Sequence, residues 1–225
     1  MSSVISEIPV VDGSVSSLRP PALWTKPAYA GTIEALEVKE RELAERLSGI
    51  AARFFRARFA TSLAAEDMVL TDAILRGSPA VRAGIRVFTL NTGRLHAETL
   101  AVLDKVETHY GYTIEQFTPD QEAVENYLKK NGLNAFYDSV DLRKSCCGIR
   151  KVEPLNRALS HADAWMTGQR REQAVTRAEL PFEETDESRG IPKFNPLADW
   201  TEAEVWAYLS RHNVPVNALH EKGYP

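Results

Sequence analysis

Cysteine is nearly missing from this sequence: two residues among 225, and those two adjacent. That scarcity excludes a disulfide-stapled secreted scaffold and points to a reducing compartment, where thiols serve as ligands or redox groups. Glycine and proline, twelve of each, are too few and too scattered for a low-complexity tract. No apolar run approaches the roughly 20 residues that cross a bilayer. Residues 1–27 lack the basic-then-apolar layout of a secretion signal. Positive charge is also in short supply: the formal net charge is −4, which argues against a general nucleic-acid binder. A cytoplasmic protein with neither membrane nor nucleic acid among its partners is expected.

What is present is ordinary for a soluble domain, with 44% apolar and 26% charged residues. The length suits one α/β domain with a proper core. Residues 1–30, rich in Ser, Pro and Val without a sustained period, read as a flexible arm, leaving 31–225 as a single domain. From Ile33 the apolar residues Leu36, Leu43, Leu47, Ile50 and Phe54 recur at helical spacing. Short apolar runs follow, around Phe59, at 85–90, at 112–117 and at 162–167. They alternate with helical stretches at 65–75, 97–110 and 121–130 that stop at or near glycine. A last helix over 201–211 opens with a capping box, Thr201 standing three residues before Glu204. This alternation predicts a Rossmann-like, mostly parallel sheet with helices on both faces. Ligands bind such sheets at the carboxyl ends of the strands, and four motifs are expected there, each just after a strand.

The first motif is Thr61-Ser62-Leu63-Ala64-Ala65-Glu66-Asp67. Two hydroxyls before a helix start suit an oxyanion such as phosphate or sulfate; an N-cap serine with acidic first-turn residues is an equally good reading. Without glycine the loop is neither a Walker loop nor a dinucleotide fingerprint. The second is Leu90-Asn91-Thr92-Gly93-Arg94, in which Gly93 can take φ > 0 and Arg94 offers a planar donor fork. Standing alone it would be a plain strand-to-helix turn. The third is Cys146-Cys147-Gly148-Ile149-Arg150-Lys151. Adjacent thiols rarely bond each other but can ligate two irons of one cluster, and Arg143, Lys144, Arg150 and Lys151 would offset its negative charge. The fourth is Thr167-Gly168-Gln169-Arg170-Arg171, with Arg177 beyond it. Arginines at a strand end suit phosphate or sulfate capture.

Taken together, the four segments resemble the assimilatory adenylyl-sulfate reductases, a branch of the wider phosphoadenylyl- and adenylyl-sulfate reductase family. The match runs from about Phe59 to Pro225, and the cysteine pair separates this branch from the phosphoadenylyl-sulfate reductases. The resemblance implies an adenine-nucleotide hydrolase-like fold that reduces adenosine 5′-phosphosulfate to sulfite and AMP, with thioredoxin or glutaredoxin as reductant, in sulfate assimilation and cysteine biosynthesis. It implies a [4Fe–4S] cluster to which Cys146 and Cys147 give half the ligands. Lys151 would bridge cluster and substrate. Thr61, Ser62, Leu90, Thr92, Gly93, Arg94, Gly168, Arg170, Arg171 and Arg177 would bind the substrate, and a homo-oligomer is expected. Asn91 and Ala64 depart from the family, which usually has Asp and Gly there. The stretch from Leu219 to Pro225, with His220, resembles the approach to a second, Cys-x-x-Cys pair. That pair and a Glu-Cys-Gly-Leu-His tail carrying the nucleophilic cysteine belong to the family beyond this point. Residues 1–225 alone are therefore expected to lack a complete cluster and to be inactive.

Overall fold

The computed structural model describes residues 23–224; most of the expected arm, residues 1–22, lies outside the described residues. Its last residues are fastened. Trp24 donates its backbone N–H to Gly223 O (3.3 Å) and its indole N–H to Glu202 (2.7 Å). The Trp24 ring packs 5.2 Å from Trp206 and 5.6 Å from His220, centre to centre.

Helix α1 (Ile33–Arg53) leads into β1 (Ala57–Thr61), α2 (Ala65–Leu75), the short α3 (Pro79–Gly84) and β2 (Ile85–Leu90). Then come α4 (Ala97–Tyr110), β3 (Glu115–Phe117), α5 (Gln121–Asn131), α6 (Val140–Cys147) and α7 (Glu153–Leu159). Strand β4 (Ala164–Met166) is followed by the hairpin β5 (Glu183–Asp186) and β6 (Ile191–Phe194), and α8 (Glu202–Arg211) closes the domain. The six strands run in the order β3-β2-β1-β4-β6-β5. All neighbours pair in parallel except β5, which runs antiparallel to β6 at one edge. The expected run at 112–117 supplies only three residues of strand, and the hairpin gives the periodicity too little length to register. The capping box at Thr201 forms as expected.

Strand alternation sorts the core onto two faces. Phe59 of β1 lies in register with Val87 and Met166, all fully buried, on the face covered by α1, α2, α4 and α8. Phe88 and Trp165 point the other way and pack on Ala158 and Leu159 of α7. Helix α2 is buried nearly all round. A helix in that position cannot leave a carboxylate unpaired, and Asp72 accepts hydrogen bonds from Tyr110 and Tyr208, both at 2.7 Å. No helix among the described residues is long and apolar enough to cross a membrane.

Candidate functional site

The strand order reverses between β1 and β4, the place where a doubly wound sheet opens a crevice at its carboxyl edge. A cleft of about 270 Å³ lies there, lined by Ser62, Glu66 and Asp67 on one lip and by Thr167, Gly168, Gln169, Gln173 and Arg177 on the other. The loop after β1 is unusual. Leu63, fully buried, sits at φ 65°, a left-handed conformation that costs a non-glycine residue about 1–3 kcal/mol. Ser62 does not cap α2: the N-cap is Ala64, with no side-chain hydrogen bond. Ser62 gives its backbone N–H (2.6 Å) and its hydroxyl (2.5 Å) to Asp67 instead. Burial pushes the Asp67 carboxyl up to about 6, while hydrogen bonds from Ser62 and from the Gly168 backbone pull it back.

Arg170 and Arg171, expected to capture anions, are committed elsewhere. The Arg170 guanidinium, 4% exposed, holds Glu66 at 2.7 Å and Glu172 at 2.8 Å, tying the loop after β4 to the first turn of α2. Arg171 donates to Leu180 O and covers the Phe182 ring. Of that run only Arg177, half-buried and bonded to Gln173, faces the cleft. Thr61 is buried in the strand end, its hydroxyl accepting from the N–H of Leu63 and its carbonyl from Thr89. Leu90 packs into the smaller core face.

A second hollow, about 290 Å³, is lined by Thr92, Arg94, Leu95, Phe136, Arg143, Cys146, Cys147, Arg150 and Lys151. The cysteine pair does not follow a strand. It ends α6, and Gly148–Val152 continue as a single π-turn into α7. Such turns widen a helix and recur at functional sites. Here the widened turn sends Arg150, 8% exposed, inward to donate to Thr92 O at 2.7 Å. That bond fixes the cysteine helix to the turn after β2. In that turn Gly93 is at φ 70° and Asn91 accepts from its N–H. Arg94 gives its fork to Leu133 O and Asn134 and lies over Phe136. Lys151 is exposed at the rim; Cys146 is buried and Cys147 half-buried.

The structure therefore gathers Ser62, Gly168 and Arg177 in one hollow, and Thr92, Arg94, both cysteines and Lys151 in another. Gly93 and Arg94 also line a larger cavity of about 760 Å³ against α5. Asp67 and Arg150 emerge as the residues that hold the two hollows in shape. Both stand inside the motifs: Asp67 is bonded by Ser62 of its own loop, and Arg150 reaches Thr92 in a different motif.

The fold and the position of the cleft define a doubly wound α/β domain of the adenine-nucleotide hydrolase-like kind. The chain belongs to the phosphoadenosine phosphosulfate reductase domain family, whose model matches residues 56–225. It is 63% identical over 191 residues to an adenosine 5′-phosphosulfate reductase of Burkholderia cepacia, spanning 84% of this chain and 74% of that one. A protein of the same name from Neisseria meningitidis serogroup A is 52% identical over 207 residues, spanning 91% and 83%. Among solved structures, phosphoadenylyl-sulfate reductase from Candida auris, in a phosphate complex, superposes with a TM-score of 0.69 at 28% identity, covering 88% of this chain and 96% of that one. The NH3-dependent NAD synthetase of Campylobacter jejuni shares the fold alone, with a TM-score of 0.57 at 10% identity over 84% of this chain and 77% of that one.

Proposed function

We propose that this protein reduces adenosine 5′-phosphosulfate to sulfite and AMP in sulfate assimilation, in the cytoplasm. Two electrons come from a dithiol partner, thioredoxin or glutaredoxin, which leaves as the disulfide. The observation that carries the reading is the adjacent cysteine pair in a hollow lined by Arg143, Arg150 and Lys151, on the same sheet edge as the cleft. The cleft suits the nucleotide phosphate, with the uncapped start of α2 offering N–H groups.

Two thiols beside three cations fit half the ligand set of an anionic [4Fe–4S] cluster. Among the described residues no group of three or more His, Cys, Asp or Glu is gathered, and the pair would supply two of the four ligands. When bound, such a cluster would supply a compact charged centre. Cys146 and Cys147 would hold it, Arg143 and Arg150 would balance its charge, and Lys151, exposed at the rim, would supply a cation for the substrate sulfate. Thr61, Ser62 and Leu90 shape the backbone of the pocket, Gly168 and Arg177 face it, and Thr92, Gly93 and Arg94 form the turn between pocket and cysteines. Arg170 and Arg171 act on this reading as braces.

The test is sulfite release by the intact protein with thioredoxin, comparing adenosine 5′-phosphosulfate with its 3′-phosphorylated analogue. The unphosphorylated substrate is expected to give the higher kcat/KM, and an equal or better value for the analogue would assign the chain to the other branch. A protein that binds nucleotide and releases no sulfite would be a non-catalytic relative. Lys151→Ala should lower kcat/KM about ten- to a hundredfold, the worth of one charge-assisted contact. Lys129→Ala, a change at an exposed lysine paired only with Glu125, provides the comparison. Indistinguishable values would remove Lys151 from the site.

A further inference from the structure

We propose that Asp67 is the positioning residue of the cleft: its carboxylate joins the loop after β1 to the loop after β4 and sets the gap that receives the nucleotide phosphate. The inference rests on the reading of this cleft as the nucleotide site.

Both lips converge on this one side chain. Ser62 gives its N–H and its hydroxyl to Oδ2, at 2.6 and 2.5 Å. From the other lip the Gly168 backbone comes up against the same carboxyl group and favours its charged form. The approach there is so close that a Cβ at position 168 would collide with Asp67 Oδ1. Gly168 is therefore a glycine for lack of space, and what fills the space is Asp67.

Three consequences follow from this geometry. Ser62 has already committed both its hydrogens, so its place in the motif serves Asp67, and the ligand is left the uncapped N–H groups at the start of α2. The left-handed turn at Leu63 is strained, and a strained turn persists where its surroundings over-determine it; the two Ser62 bonds, one residue away, do so. The lips also cannot move independently. Arg170 braces the same pair of elements from behind through Glu66, but it bonds neither Ser62 nor Asp67.

A plain helix-stabilising aspartate would give a different set of results. In the intact protein, KM and kcat for adenosine 5′-phosphosulfate and Tm without ligand are measured for Asp67→Ala, Asp67→Asn, Gly168→Ala and the double variant Asp67→Ala/Gly168→Ala. Loss of bonds to a charged group predicts a rise in KM of about tenfold or more for Asp67→Ala. The kcat at saturation should fall by less than about threefold, because only ground- and transition-state binding shared by the whole nucleotide is lost. Gly168→Ala should raise KM comparably. The double variant should be no worse than Asp67→Ala, since the colliding oxygen is gone, a non-additivity expected only of touching groups. Asp67→Asn keeps one acceptor and should fall between. Asp72→Asn loses stability at the far end of the same helix and should leave KM within about twofold.

The proposal is overturned by an unchanged KM in Asp67→Ala, by tighter binding in it, by multiplying effects in the double variant, or by an equal KM rise in Asp72→Asn. Should Asp67→Ala not fold, Asp67→Asn and Gly168→Ala decide alone. Should the unmodified protein release no sulfite, the functional reading fails separately, and the same variants are judged by Kd for AMP.

Discussion

Asp67 and Asp199 lie in oppositely acting surroundings, and the difference sets how stability follows pH. Asp199 is penalised by burial, but hydrogen bonds from Arg46 and Lys39 more than reverse this and bring its carboxyl down to about 2 from an ordinary 3.8. The folded state thus favours the ionised form. Its contribution is fully present above about pH 4 and lost as pH falls toward 2. For Asp67 the sign is reversed. With a folded value of about 6, the native protein binds the proton more tightly than the unfolded chain, so this contribution is present below about pH 4 and lost as pH rises through 6. Melting temperature followed against pH should show Asp199→Asn flattening the acid limb, below about pH 4, and Asp67→Asn flattening the stretch between about 4 and 6. If both variants keep the parent's slope in both windows, neither carboxylate is shifted as described.

At the level of elements, a hydrogen bond between two motifs gives the most direct prediction. Removing Arg150 leaves Thr92 O without its buried donor, which costs about 1–3 kcal/mol. At roughly 2–4 °C per kcal/mol for a domain of this size, Arg150→Ala should lower Tm by several degrees. An unaltered Tm would show that the cysteine helix is held by other contacts. The sequence makes some of these elements plain and hides others. Helices α2 and α4 begin and end where hydrophobic period and glycine stops put them. The cysteine segment was out of reach because a π-turn shifts the period midway, so no single helical repeat covers Val140 to Leu159. Helix α3, six residues long, and the hairpin of β5 and β6 are too short to establish a pattern. Among the site residues, Ser62, Gly168 and Arg177 do line one cleft at the sheet edge, as the motifs placed them. Which arginines face the cleft was not legible, because Arg170 is withdrawn by Glu66, more than a hundred positions away in sequence.

In the molecule as a whole, the two ends of the described chain meet at Trp24. Its ring covers Trp206 and His220 while its N–H groups reach Gly223 and Glu202, so it stitches the segment after α8 to the body. Trp24→Ala should cost roughly 2 kcal/mol through lost aromatic packing and an unmet Glu202. Melting followed by tryptophan fluorescence and by circular dichroism should both move down; no shift in either would leave the strap without a structural role. The sheet's two open edges have a different consequence. They are three and four residues long, and Glu115, Glu183, Glu184 and Asp186 stand on them. A second copy adding its own edge would gain few ladder bonds and bring carboxylates face to face, the arrangement by which natural sheets avoid templating one another. Assembly by strand exchange or fibril growth is thereby disfavoured, and an oligomer of this protein has its helical faces to build from.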